Sequence, residues 1–237
     1  MSYFKAFALA FNMFTIFPFF KIHTYEDGIN GRSALFYPFI GLIIGFTVYG
    51  LYLLLHDYLP APHLAVLLFG LSILFTGALH LDGLSDTIDG FFVNKEKALE
   101  VMKDSHVGGM GMIFTFVFLS LKLSSFIYFE AWALLPLVML LSRLNATLAI
   151  YIFPYISSGV GALIKQELKT TYVVIALLYS VVLSYLFSST LMLLISLVSM
   201  FIIAGLLIRR YKGLNGDMYG FIIEISELIL LNYLIIL

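Results

Sequence analysis

In "LHLDGLSDTIDGFF", residues 79 to 92, three aspartates follow an apolar run long enough to cross a bilayer. At 100° per residue Asp86 lies about 40° from Asp82, and Asp89 about 20° to the other side, so a continuous helix carries all three on one face. Such a cluster repels itself at low dielectric and needs bound cations, raised pKa values or ample water. Donors that are oxygen only suit a hard cation, Mg²⁺ or Mn²⁺. A second acidic set stands in "GLNGDMYGFIIEISEL", where Asp217 and Glu224 nearly eclipse and Glu227 sits about 60° from Glu224. Glu224 and Glu227 fall inside an apolar run, and carboxylates there usually line a polar interior or a pathway. For Asp82, Asp86 and Asp89 alone, an exposed acidic helix end is the plainer alternative.

Between the two sets, "KALEVMKDSHVGGMG" places Lys103 and Asp104 before Gly108, Gly109 and Gly111, whose N–H groups can approach an anion at a helix start. Glycines also serve membrane-helix packing, so that segment supports both uses. Arg143 in "LSRLNA" lies well inside an apolar run and needs a carboxylate or a substrate phosphate as partner. His80 reads as a histidine satisfied by a neighbouring helix rather than a ligand, and Lys122 as a side chain that snorkels to an interface. Acids for a divalent metal, a glycine hinge and cations on the same face point to chemistry on a phosphate or diphosphate. There the metal neutralises phosphoryl oxygens and stabilises the leaving group.

The elements that position these residues follow from composition. With 62% hydrophobic and 11% charged residues and a mean hydropathy of +1.04, the chain is an integral membrane protein. Its 237 residues leave room for about six to eight spans and little else. A single domain over residues 1–237 is expected, an all-α polytopic bundle of about seven transmembrane helices. The net charge of -1 offers no basic surface for nucleic acid, and the absence of cysteine excludes disulfides and thiolate metal sites. The N-terminal run lacks a small-x-small cleavage site and closes at Lys21, so it is not read as a cleaved signal. Its uncharged part, Ala6 to Phe20, makes a helix only about 22 Å long, which suits an interfacial or re-entrant helix.

Spans are expected at about 34 to 55, 63 to 81, 109 to 129, 131 to 153, 171 to 188, 190 to 208 and 218 to 237. Basic residues occupy alternate connections, so that eleven of the thirteen fall on one face, taken as cytoplasmic; Lys122 and Arg143 lie within spans. This puts "DGLSDTIDG" on the cytoplasmic side.

"GRSALFYPFIGLIIG", "LHLDGLSDTIDGFF", "KALEVMKDSHVGGMG" and "GLNGDMYGFIIEISEL" resemble, in order, the successive motifs of the cobalamin synthase (adenosylcobinamide-GDP ribazoletransferase) family. The resemblance implies a Mg²⁺-dependent phosphotransferase of the cytoplasmic membrane. Its substrates are adenosylcobinamide-GDP and alpha-ribazole or its 5'-phosphate, it releases GMP, and a homo-oligomer is left open. Carried over residue by residue, the acidic motif falls on Asp82, Asp86 and Asp89, the lysine-aspartate-serine motif on Lys103, Asp104 and Ser105, and the late motif on Asp217, Glu224 and Glu227. Within that set Asp82, Asp86, Asp89, Lys103 and Asp104 are assigned to catalysis. Ser105, His106, Gly108, Arg143 and Asp217 are assigned to substrate, and Asp82, Asp86, Asp89, Glu224 and Glu227 to metal. Two departures stand out: His106 where the family often has arginine, and Ile16 and Phe17 where it often has a basic residue before the proline.

Two alternatives compete. A CDP-alcohol phosphotransferase also uses aspartates on membrane helices, but its Ala-Arg is missing after Asp82-Gly83. A divalent-cation transporter would hold its site near the midplane rather than at one end of a span. Metal-dependent GMP release separates enzyme from transporter, and the acceptor requirement separates the two enzymes.

Overall fold

Lipid offers backbone groups no hydrogen bonds, so an apolar chain satisfies them internally as helices. The computed structural model describes residues 2–17, 19–22, 26–104 and 106–237, and these are helical but for connections and one isolated bridge between Tyr155 and Leu214. In chain order the helices are α1 (Ser2–Phe14), α2 (Ile29–Ser33), α3 (Tyr37–Leu55), α4 (Ala61–Phe75), α5 (Leu79–Phe91) and α6 (Lys95–Val101). They continue as α7 (Gly109–Ile127), α8 (Leu135–Ile152), α9 (Val160–Glu167), α10 (Thr170–Leu186), α11 (Thr190–Tyr211) and α12 (Gly216–Ile236). Among the described residues five stretches are long and apolar enough to span, or up to seven if each of two bent helix pairs counts as one. This agrees with the all-α polytopic bundle expected.

α8 is the axis of the bundle. Every residue from Leu135 to Ile150 is buried, as befits a helix that is hydrophobic all round. α3 reaches it through Gly41 and Gly45, at which a Cβ would run into the backbone of Met139 and Pro136. This small-xxx-small contact lets two backbones pack by van der Waals contact, the main attraction left between helices in lipid. Asn145 adds polar bonds across the interior, to the Ser196 carbonyl at 3.0 Å and the Ser226 hydroxyl at 2.9 Å.

The expected span at 63 to 81 is not one helix. α4 ends at Phe75, Gly77 and Ala78 take left-handed φ of 60° and 57°, and α5 leaves at 83° to α4. The apolar run is continuous, but an alanine in the left-handed region breaks the helical hydrogen-bond ladder. Likewise α9 meets α10 at 92°, so the expected span at 171 to 188 has a crosswise helix in front of it. α1 is shorter than a span and packs on α2 and the start of α3, with Ala6, Ala8, Ala10 and Phe14 buried.

The connections sort into two ends. At one, the Tyr52 and Trp132 rings stack with centroids 4.7 Å apart. At the other, Glu167 accepts hydrogen bonds from the N–H groups of Asn30 (2.8 Å) and Gly31 (3.2 Å), and Lys5 pairs with Glu26 at 2.5 Å. There too the Arg210 guanidinium donates to the carbonyls of Phe91 (3.0 Å) and Val93 (2.9 Å), closing the C-terminus of α5.

Candidate active site

Two glycines bring α5 and α12 together. A Cβ on Gly83 would lie 2.7 Å from the Asp217 carbonyl oxygen, and one on Gly220 would lie 3.0 Å from that of His80. The crossing therefore sets the first turn of α12 against the first turns of α5. Asn215 caps α12 by accepting from the Met218 N–H at 2.9 Å, and its amide donates to the Asp217 carboxylate at 2.8 Å. Asp82 is exposed, Asp86 and Asp217 are half-buried, and Asp82, Asp217 and Asp89 all act on Asp86 as like charges. The exposed Lys103 acts on Asp217 as an opposite charge. Of the sequence-derived set, the structure thus brings together Asp82, Asp86, Asp217 and Lys103.

Asp89 belongs to the same helix face but has another partner. Its carboxylate accepts the N–H groups of Gly108 at 2.8 Å and Gly111 at 2.7 Å, at the N-terminus of α7. A Cβ on either glycine would strike that carboxylate. The glycine hinge does receive an anion, as its helix-start position suits. In this structure the anion at Gly108 is the Asp89 carboxylate of the chain itself. Both Asp89 oxygens are thereby bonded to the start of α7, which pins α5 to it.

Glu224 and Glu227 also have partners within the chain. Lys122 from α7 donates to both, at 2.6 Å each, and Arg143 from α8 pairs with Glu227. All four side chains are buried, Arg143 and Glu227 at 1% exposure. Two cations and two carboxylates balance inside the bundle, with the Ser142 hydroxyl as a further partner of Glu227 at 3.3 Å. Both carboxylates are thus paired with cations of the chain, and the Arg143 guanidinium with Glu227. Lys122 does not snorkel, since carboxylates on α12 hold its ammonium in the interior.

In the connection before α7, Asp104 is exposed and accepts from the His106 N–H at 3.0 Å and from its imidazole Nδ1 at 2.7 Å. The imidazole hydrogen bond holds the Asp104 carboxyl below its usual range. Ser105, between them, lies outside the described residues.

Asp82 and Asp217 border a cavity of about 240 Å³ that His80, Tyr219, Tyr37 and Phe14 help to line. Tyr155 stacks on Tyr219 with centroids 6.2 Å apart. Sequence reasoning missed Asn215, Tyr155 and Tyr219 as parts of this site. For Asn215 the signal was present, an N-cap residue two before an aspartate, whereas nothing local marks the tyrosines.

Among the described residues no three His, Cys, Asp or Glu side chains converge to enclose a metal ion. Yet the mutual repulsion around Asp86 and the oxygen-only donors suit Mg²⁺, which commonly binds through one or two carboxylates and completes its shell with waters and substrate phosphates. The residues fit a cation that is shared with a phosphate.

Fold and site define a polytopic helical membrane protein with an acidic helix crossing at one end of its bundle. The family model for cobalamin-5-phosphate synthase matches residues 6–235, and the chain belongs to that family. An adenosylcobinamide-GDP ribazoletransferase of Caldanaerobacter subterraneus is 33% identical, with all of both chains covered. One of Alkaliphilus oremlandii is 32% identical over 94% of this chain and 93% of its own, and one of Desulfitobacterium hafniense is 35% identical over 84% of each. No solved structure matches.

Proposed function

We propose that this chain joins adenosylcobinamide-GDP to alpha-ribazole or its 5'-phosphate, releasing GMP and completing the nucleotide loop of cobalamin. The observation that carries the reading is the crossing of α5 and α12, which gathers Asp82, Asp86, Asp217 and Lys103 in a chain similar along its whole length to ribazoletransferases. In the transfer, the ribose 3'-hydroxyl oxygen forms a bond to the phosphorus carried by cobinamide. The bond from that phosphorus to the oxygen bridging to GMP breaks, and GMP leaves with the electron pair. The hydroxyl proton passes to one of the carboxylates of the crossing, and Lys103 offsets charge on the diphosphate. Mg²⁺, which one or two of Asp82, Asp86 and Asp217 would hold, would neutralise phosphoryl charge and stabilise the leaving group. The basic connections beside the acids support a site facing the cytoplasm, where nucleotide substrates are made.

Purified protein in lipid, given both substrates and Mg²⁺, should yield a cobalamin product and GMP. Chelation of divalent ions should abolish turnover and added Mg²⁺ restore it. Asp82→Asn keeps size while removing a charge, and should lower turnover by at least about a hundredfold with abundance and thermal midpoint unchanged. Absence of product with any divalent metal would overturn the reading.

A further inference from the structure

Resting on the ribazole transfer proposed above, we infer that the cavity beside the α5–α12 crossing holds the aromatic base of the acceptor nucleoside, read by His80 and Tyr219. At about 240 Å³ the cavity is smaller than the roughly 300–1,000 Å³ that receives a drug-sized ligand, so it admits one ring system and excludes a corrinoid. Its wall suits an aromatic guest, for Phe14 stands between Tyr37, at 4.6 Å between ring centroids, and His80, at 5.1 Å. Ile150 and Ile164 complete an apolar lining.

Two residues that line the cavity carry a polar atom with no partner among the described residues. His80 is 4% exposed and Tyr219 is 7% exposed, and neither the His80 Nε2 nor the Tyr219 hydroxyl makes a hydrogen bond. Both atoms lie just behind the cavity surface as it stands, so a base meets them through a turn of the His80 or Tyr219 ring. That contact relieves the cost, on the order of 1–3 kcal/mol, of a buried polar group left unsatisfied. That number of polar atoms also discriminates between bases. Guanine carries several donors and acceptors along its edges, and most would be stranded here. A benzimidazole-type base joined to ribose has one free ring nitrogen, which a donor at His80 or Tyr219 can satisfy. With its base in the cavity, the ribose of the acceptor lies at the level of the acids.

The test is equilibrium binding of radiolabelled alpha-ribazole to the full-length protein in lipid nanodiscs, without donor, beside separate KM values for donor and acceptor. Tyr219→Phe and His80→Phe keep ring shape and remove the polar atom. Each should weaken alpha-ribazole binding roughly tenfold and raise the acceptor KM in step, with the donor KM within about twofold and the thermal midpoint unchanged. An indole riboside, in which the free ring nitrogen is replaced by a C–H, should bind wild type and both variants alike. Ile164→Phe, which shortens the cavity from the peripheral α9, should weaken a dimethylated base more than unsubstituted benzimidazole riboside. Unchanged alpha-ribazole affinity in both ring variants, or a loss that falls on the donor KM, would overturn the assignment. Binding that responds to these variants without any product would leave the cavity assignment standing and overturn the transfer reading instead.

Discussion

Two sets of carboxylates that look alike in sequence do opposite work. Asp82, Asp86 and Asp217 act as like charges at one end of the bundle, with Lys103 as an opposite charge on Asp217, whereas Glu224 and Glu227 are paired with Lys122 and Arg143 in the interior. A buried ion pair contributes little against an apolar replacement, but losing one partner strands the other at a cost of about 3–5 kcal/mol. Glu227→Gln should therefore lower the thermal midpoint in detergent and the yield of folded protein. Adding Arg143→Leu to it should recover part of the loss, since no uncompensated guanidinium remains. A Glu227→Gln protein with wild-type stability and lost metal dependence would place that residue in the metal site.

Among the elements, the close crossing of α5 and α12 is the one on which the site depends. A side chain at Gly83 would meet the backbone of Asp217, which cannot turn aside as a flexible side chain can. A graded response is expected: Gly83→Ala should reduce turnover, and Gly83→Leu should abolish it by parting Asp82 from Asp217, as read from activity alongside thermal midpoint. How much of this the sequence disclosed depends on the range of the interaction. Apolar runs and the shared face of Asp82, Asp86 and Asp89 are local properties and were legible. The break after Phe75 was hidden because hydropathy does not record that Ala78 adopts a left-handed conformation. The partners of Glu224 and Glu227 were hidden because Lys122 precedes them by 102 and 105 positions, and only packing brings them together. Asp89 followed the same rule, since Gly108 and Gly111 reach it from another helix.

For the whole molecule, the sorting of connections into two ends makes sidedness measurable. The chain is free of cysteine, so single cysteines at the exposed positions Pro60, Lys97 and Lys212 report without background. An impermeant thiol reagent should label Pro60→Cys from outside the cell, and Lys97→Cys and Lys212→Cys only after the membrane is opened. External labelling at Lys97 would put the acidic crossing on the side away from cytoplasmic nucleotides.

The four-charge cluster also has a consequence for how the protein is made. Lys122 and Arg143 leave the ribosome before α12, which brings both of their carboxylates. Until that helix inserts, two cations sit within the membrane unpaired, a state costly enough to keep α7 and α8 from settling. Nascent chains stopped short of Glu224 should consequently be cleared by membrane proteases, and α12 supplied as a separate polypeptide should protect them.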